Sequence, residues 1–331
     1  MQASSEHIDN WLALQSNLGK APNTIKAYSF ALRDYQEFCS DHNTCIVVAS
    51  REQVSQYVCR LLNSPITKNQ SVNSGFFANA TIRQRIAVVH LFYDYLIEEG
   101  LRTTNPVGRG NQFSSRYRRN TRPLVPIQHK MPWIPSEEEW QRLLTEACGM
   151  SLRNRLMLMI AYDGGLRREE LCLLNTEDID PSHRLLHIRA ETTKAKRDRI
   201  VPYSACTGQL LLDYLRYRKQ LTRSRGLLFL SESPRNLGKP ITFWTWSKVI
   251  RSLGDAAELP QFSTHTLRHL CLTDLARSGW DLHEIASFAG HRNTSTTLIY
   301  IHLSGRELAA KLALASSIHS SRIENISQLL Q

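Results

Sequence analysis

The stretch from Ser263 to His302, STHTLRHLCLTDLARSGWDLHEIASFAGHRNTSTTLIYIH, constrains this chain most, because its punctuation cuts it into three short consecutive helices. His265 and Arg268 stand three apart, which on a helix puts both side chains on one face near the amino end. First-turn N–H groups lack intrahelical partners and the helix dipole is positive there, so the pair makes a phosphate-shaped site. The helix runs through Leu272, Leu275 and Ala276 to Gly279, a carboxyl-terminal cap. Asp281 and Glu284 form a capping box for the second helix, Gly290 ends it, and His291 follows on the turn. Thr294 or Ser295 then caps TTLIYIHL, in which Tyr300 stands nine residues after His291. His265, Arg268, His291 and Tyr300 can thus fold around a single point.

Upstream, 331 residues imply two domains. Residues 1–105 hold nine basic and nine acidic side chains, whereas 106–130, PVGRGNQFSSRYRRNTRPLVPIQHK, carry six basic and no acidic residues. More than half of the net charge of +11 therefore lies in a segment without helical or strand period. It reads as an interdomain linker lying along a phosphate backbone, through Arg116, Arg118, Arg119 and Arg122. In the first domain Ile25, Tyr28, Leu32, Tyr35 and Phe38 recur at helical spacing behind an Asn23 cap, and Ile82, Ile86, Val89, Phe92 and Leu96 do the same until Gly100. Gln53 to Leu62 reads as another helix, and Pro65 to Ala80 as a polar loop.

The second domain opens near Met131, with a capping box at Ser136 and Glu139. Arg153 to Asp163 reads as a buried helix that Gly164 and Gly165 end abruptly, so Arg167 is delivered from a turn at the head of the next one. Leu185 to Arg189 and Arg199 to Tyr203 alternate like the strands of a hairpin. Gln209 to Arg218 and Thr242 to Leu253 are further helices. The expected fold is mainly α, a helical amino-terminal domain followed by a mixed domain with one small antiparallel sheet. No apolar run approaches the roughly 18 residues needed to span a bilayer, and the amino terminus lacks a signal-peptide pattern, so the expected location is cytoplasmic, with the nucleoid. Seven scattered cysteines fit reduced thiols. Cys39, His42 and Cys45 lack a fourth metal ligand, so no metal is expected.

HxLRH, then AGH, then nine residues to a Tyr in a TTxxY context resembles the second signature box of the tyrosine recombinases, a family that includes phage integrases, Xer proteins and Cre. AYDGGLRREELCLLNTEDID is similar to the first box, with Arg167 as the first catalytic Arg and Glu170 three residues on. ETTKAKRDRIVP, residues 191–202, matches the turn that carries the family's catalytic Lys; counting back from Pro202 places it on Lys194, and Lys196 is the alternative. The chain departs from the family's pattern at Thr193 and Ala195, where Gly is usual, at Arg168, usually apolar, and at Ala289, usually Leu.

The resemblance implies a core-binding, SAM-like domain over 1–105 that clamps one face of a DNA duplex, and a catalytic domain over 131–331. Lys26, Arg83 and Arg85 are candidates to reach phosphates from the first. The implied reaction is attack of Tyr300 on a phosphodiester, leaving a 3′-phosphotyrosyl link and a free 5′-hydroxyl that a second strand can reverse. Arg167 and Arg268 would present planar forks to the non-bridging oxygens. His265 is the expected proton acceptor, Lys194 the general acid, His291 a phosphate ligand, and Glu170 an orienting group. Neither metal, ATP nor another cofactor is needed. Expected partners are double-stranded DNA at specific sites, three further copies in a tetramer, and an accessory or second recombinase. The tail from about 305 to 331 docks either on a neighbouring protomer or on its own domain. Rival readings are a type IB-like topoisomerase, a metal-dependent hydrolase using His265 and His269, and a non-catalytic DNA-binding protein.

Overall fold

The computed structural model describes residues 2–63, 65–68, 71–107, 131–193, 196–303, 305 and 312. The chain divides into two compact units, 1–130 and 131–331. In the first, helices α1 (Gln2–Asn17), α2 (Pro22–Asp41), α3 (Arg51–Asn63) and α4 (Asn79–Glu98) pack around one core. The two apolar stripes read from the sequence supply its centre. Leu32, Tyr35 and Phe38 of α2 are buried against Val89, Phe92 and Leu96 of α4, each such side chain contributing about 1.5–3 kcal/mol. Two phenols share a buried hydrogen bond, Tyr35 to Tyr93 at 3.0 Å, and Tyr93 donates to the Ile46 carbonyl at 2.7 Å, so neither hydroxyl is left unpaired.

Two details differ from the sequence expectation. The residue at the N-cap of α2 is Ala21, with Pro22 in the first turn, where the ring's fixed φ and missing N–H cost nothing; Asn23 lies inside the helix. The expected loop from Pro65 to Ala80 holds an antiparallel hairpin of β1 (Pro65–Lys68) and β2 (Ser71–Phe76), paired Pro65 to Phe76 and Lys68 to Ser71. Its polar residues hide the period of two that normally marks a strand.

The second unit contains α5 (Glu137–Cys148), α6 (Leu152–Asp163), α7 (Arg168–Cys172), strands β3 (Ile179–Asp180), β4 (Leu185–Ile188) and β5 (Arg199–Pro202), α8 (Ala205–Leu221), α9 (Phe243–Ala256), α10 (Thr264–Arg277), α11 (Leu282–Ala289) and α12 (Leu298–Leu303). The sheet is antiparallel in the order β3, β4, β5, so the predicted hairpin gains a third strand. Leu186, Ile188 and Val201 are buried and their neighbours His187 and Ile200 are exposed, the alternation of a half-buried sheet. Helix α10 is buried nearly all round, because α6, α11 and α12 all pack on it.

Three local devices position the functional residues. At the end of α6, Gly165 takes φ +54°, and an added Cβ would lie 3.3 Å from the Phe288 ring. That tight turn makes Arg167 the N-cap of α7. Asp281 accepts from the N–H groups of His283 and Glu284 while Glu284 accepts from that of Asp281, the capping box read from the sequence. Gly290 ends α11 at φ +62° and hands the chain to His291. Beyond it, Asn293 rather than Thr294 or Ser295 provides the cap, accepting from Ser295 N–H ahead of a short 3-10 turn. Among the described residues no helix is long and apolar enough to cross a membrane, and no cluster of His, Cys, Asp or Glu is arranged to hold a metal.

Candidate active site

The site is built on α10. Arg268 is only 4% exposed, yet it carries a charge, so its donors must be satisfied internally. Nη1 donates to the Gly165 carbonyl at 2.6 Å and Nη2 to the Ala289 carbonyl at 2.6 Å, which ties the guanidinium to the turn after α6 and to the end of α11. Nη2 also lies 2.9 Å from His291 Nε2. Arginine has no acceptor, so Nε2 must be the unprotonated nitrogen, and Nδ1–H donates to Thr297 Oγ1 at 2.8 Å. Burial, then the charges of Arg268, Arg167 and Arg199, push the His291 pKa down to about 3, in keeping with a neutral ring. Burial and the neighbouring Arg167 lower the Arg268 guanidinium to about 10, still charged at neutral pH.

Arg167 approaches from the head of α7. Its Nη1 donates to Glu170 Oε1 at 2.8 Å, and its backbone N–H to Oε2 at 2.9 Å. Glu170 is 1% exposed and takes a second guanidinium, Arg199 from β5, through Oε1 at 3.2 Å and Oε2 at 2.7 Å. Burial alone would raise this carboxyl; hydrogen bonds and charge from Arg199, then from Arg167, instead lower its pKa to about 2. One carboxylate therefore sits between two arginines and leaves the group with net positive charge.

Tyr300 on α12 is 3% exposed. Its ring stacks on that of His291, with centroids 6.1 Å apart and planes 7° from parallel, and its hydroxyl lies 3.0 Å from His269 Nδ1. Burial raises the phenol pKa against the opposing fields of Arg268 and Arg167, so the hydroxyl is protonated at neutral pH. His265 lies one turn earlier on α10, exposed at the rim and flanked by the charges of Glu169, Arg268, Arg168 and Arg167. The covered part of its ring, first, and then the charges of Arg268, Arg168 and Arg167 lower its pKa against the raising field of Glu169.

Arg167, Glu170, Arg268, His291 and Tyr300 are thus brought together, with His265 at the edge. The hydroxyl's partner is His269 rather than His265, the acceptor expected from the sequence. Lys194 and the linker arginines Arg116, Arg118, Arg119 and Arg122 lie outside the described residues, as does all of the tail except Gly305 and Leu312. Lys196 is exposed on a left-handed turn at φ +51°. In the first unit Lys26 is exposed and Arg83 half-buried, while Arg85 is committed internally, 2.7 Å from Asp34 and over the Phe77 ring. Sequence reasoning missed Arg199. Strand alternation was the available signal, since it puts Arg199 on the buried face of Val201, where a charge needs a partner.

A buried arginine fork, a second arginine, a neutral histidine and a tyrosine hydroxyl thus converge on one positively charged site. Residues 135–307 match the phage integrase family, and residues 8–100 match the phage integrase N-terminal SAM-like domain. The chain belongs to the phage integrase family, and it is a tyrosine recombinase, an enzyme of site-specific recombination that cleaves and rejoins DNA strands. It is 28% identical over 326 residues to transposase A from transposon Tn554 of Staphylococcus aureus, covering 92% of this chain and 89% of that one. Tyrosine recombinase XerC of Thermodesulfovibrio yellowstonii is 27% identical over 308 residues, 91% and 93% of the two chains. Among solved structures, the Tn1549 transposon integrase in complex with circular intermediate DNA aligns with a TM-score of 0.69 at 17% identity, over 93% of this chain and 99% of that one. The XerH recombinase bound to a palindromic difH substrate aligns at 0.66 and 19%, over 88% and 80%. The mainly helical fold with its small antiparallel sheet is the one these proteins share.

Proposed function

We propose that this recombinase cleaves double-stranded DNA at specific sites by attack of Tyr300 on a phosphodiester, and rejoins strands by reversal from a second 5′-hydroxyl. The observation that carries this reading is the packing of Tyr300 against His291, which shares Arg268 with the turn that delivers Arg167. A phosphate drawn to the two guanidiniums meets the phenol oxygen at the same point. As the pentacoordinate phosphorane forms, charge grows on the non-bridging oxygens, and guanidiniums already anchored by Glu170 and by the Gly165 and Ala289 carbonyls are held close to it. Arg268 stabilises that charge from a water-poor position, and Arg167 is aimed by Glu170. An arriving phosphate competes for Arg268 and favours the imidazolium form of His291, which then donates a hydrogen bond to the anion. His265, at the rim, adds a further donor to the phosphate. Lys194, or Lys196, protonates the leaving 5′-oxygen.

Further parts of the reading follow from charge and from the relatives. The 106–130 segment, with Arg116, Arg118, Arg119 and Arg122, lies along the DNA backbone between a core-binding domain over 1–105 and a catalytic domain over 131–331, and Lys26 and Arg83 add phosphate contacts. Arg85 adds none, because Asp34 already holds it. Exchange between two duplexes needs four nucleophiles and hence a tetramer, with the 305–331 tail packing on a neighbour or on its own domain. The test is a nicked duplex carrying a site captured from a randomised library, mixed with wild type and Tyr300→Phe and resolved on a denaturing gel. An adduct confined to wild type supports the reading, and an adduct with both removes Tyr300 from it. Strand exchange on a two-site plasmid, rather than relaxation alone, separates recombination from topoisomerase action.

A further inference from the structure

One group at the Tyr300 oxygen has no task in that reaction. His269 Nδ1 is 3.0 Å from the Tyr300 hydroxyl, with ring centroids 5.8 Å apart. The other candidates are occupied or distant. His291 has Nε2 against Arg268 and Nδ1 on Thr297. His265 lies one helical turn before His269, ring centroids 6.5 Å apart, while the hydroxyl's hydrogen bond goes to His269. The backbone carbonyl of His269 accepts the Thr273 hydroxyl at 2.7 Å within the buried part of α10, so the ring projects from a fixed segment.

We propose that His269 is a catalytic residue of strand cleavage: Nδ1 accepts the hydrogen bond of the Tyr300 hydroxyl, aims its oxygen, and takes the proton as the oxygen attacks. The inference rests on the reading of Tyr300 as nucleophile. In the step, the Tyr300 O–P bond forms and the P–O5′ bond breaks. The phenol proton moves to His269 Nδ1, and the leaving 5′-oxygen receives a proton from the Lys acid. Attack by a 5′-hydroxyl in the rejoining step reverses every transfer, with His269 returning its proton to the departing phenolate.

The electrical setting favours a neutral acceptor. Burial, then the charges of His265 and Arg268, hold the His269 pKa down at about 4. The groups that face it are His265 and Arg268 on its own helix and Tyr300 from α12. Because burial also keeps the phenol protonated, complete transfer before attack is uphill. Transfer therefore accompanies P–O bond formation, when the phenolic oxygen loses its basicity.

The experiment measures single-turnover cleavage of the captured-site nicked duplex by the full-length protein across pH, for wild type, His269→Asn, His269→Ala and Tyr300→Phe. Asparagine offers an acceptor oxygen near the Nδ1 position but cannot take the proton. The expected result is a loss of about 100-fold in both His269 variants with DNA binding retained. A fluorinated tyrosine of lower pKa at position 300 should recover part of that loss. A 5′-bridging sulfur, which leaves unprotonated, should recover none. His269→Asn cleaving within threefold of wild type would leave only a positioning role and overturn the proposal, as would rescue by the sulfur substrate. Should the substitutions unfold the domain, fluorotyrosine in otherwise unaltered protein decides: an alkaline limb that follows the phenol pKa means unassisted ionisation and overturns it, and a limb that does not move supports it. An adduct that survives Tyr300→Phe instead overturns the nucleophile reading itself, a separate result from normal cleavage by His269→Asn.

Discussion

Replacing Glu170 with Gln removes the charge that holds Arg167 and Arg199 together, and its cost can be worked in two ways. The carboxyl falls from its ordinary value of 4.5 to about 2, equivalent to about 3 kcal/mol in favour of the folded state. Breaking a buried ion pair by removing one partner costs about 3–5 kcal/mol, and here two guanidiniums, Arg199 only 8% exposed, would be left facing a neutral amide. The sign with pH is definite. A folded-state pKa below the unfolded one gives stability that is complete above 4.5 and disappears as pH falls through about 2. The difference between wild type and Glu170→Gln should therefore be about 3 kcal/mol at pH 7 and about 1 kcal/mol at pH 3. Five of the six tryptophans lie in the second unit, so denaturant titrations followed by their fluorescence report on the domain concerned. A difference below about 0.5 kcal/mol at pH 7, or one unchanged at pH 3, would refute the assignment of Glu170 as the buried counter-charge of both arginines.

Other substitutions test other parts of the site. Arg268→Lys cannot bridge Gly165 and Ala289 with a planar fork, so adduct formation should fall by about 100-fold or more; a loss under tenfold contradicts the role given to the fork. Gly290→Ala must hold φ +62° and brings a Cβ to 3.1 Å from Arg199 Nη1, so calorimetry should show a loss of about 1–2 kcal/mol, and no loss would mean the turn relaxes freely. His291 has a folded pKa of about 3 against 6.5 when exposed, so its contribution is intact above 6.5 and is lost as pH falls toward 3. The wild type should lose about 1 kcal/mol more than His291→Asn by pH 5, after allowance for solvent screening of the half-buried ring, and parallel acid curves would contradict this. Chelation with EDTA should leave adduct formation unchanged, whereas its loss would revive a metal-dependent route.

What the sequence made legible was local. The capping boxes at Ser136 and Asp281 and the terminator Gly290 depend on residues within four positions of one another, and the structure has each of them where the sequence put it. The stripes of α2 and α4 were equally plain, because a helix buried on one face must repeat its apolar residues. What escaped was non-local or weakly patterned. The 65–76 hairpin has no apolar alternation, and the ladder between Lys68 and Ser71 is made by backbone groups any sequence possesses. Arg199 meets Glu170 across 29 positions, a contact fixed only when β5 packs beside α7. His269 stood in the sequence as a second histidine of a metal-like pair. Its place at the Tyr300 hydroxyl depends on how α12 settles on α10, which spacing along the chain does not encode.

The central claim is that the DNA becomes attached to Tyr300, and the direct measurement is mass spectrometry of the adduct after exhaustive nuclease and trypsin digestion. Cleavage at Arg292 and Arg306 yields a peptide, 293–306, with Tyr300 as its single tyrosine. The expected result is a phosphonucleotide on that residue through its 3′-phosphate. A nucleotide on another peptide, or on a serine or threonine of this one, would contradict the account.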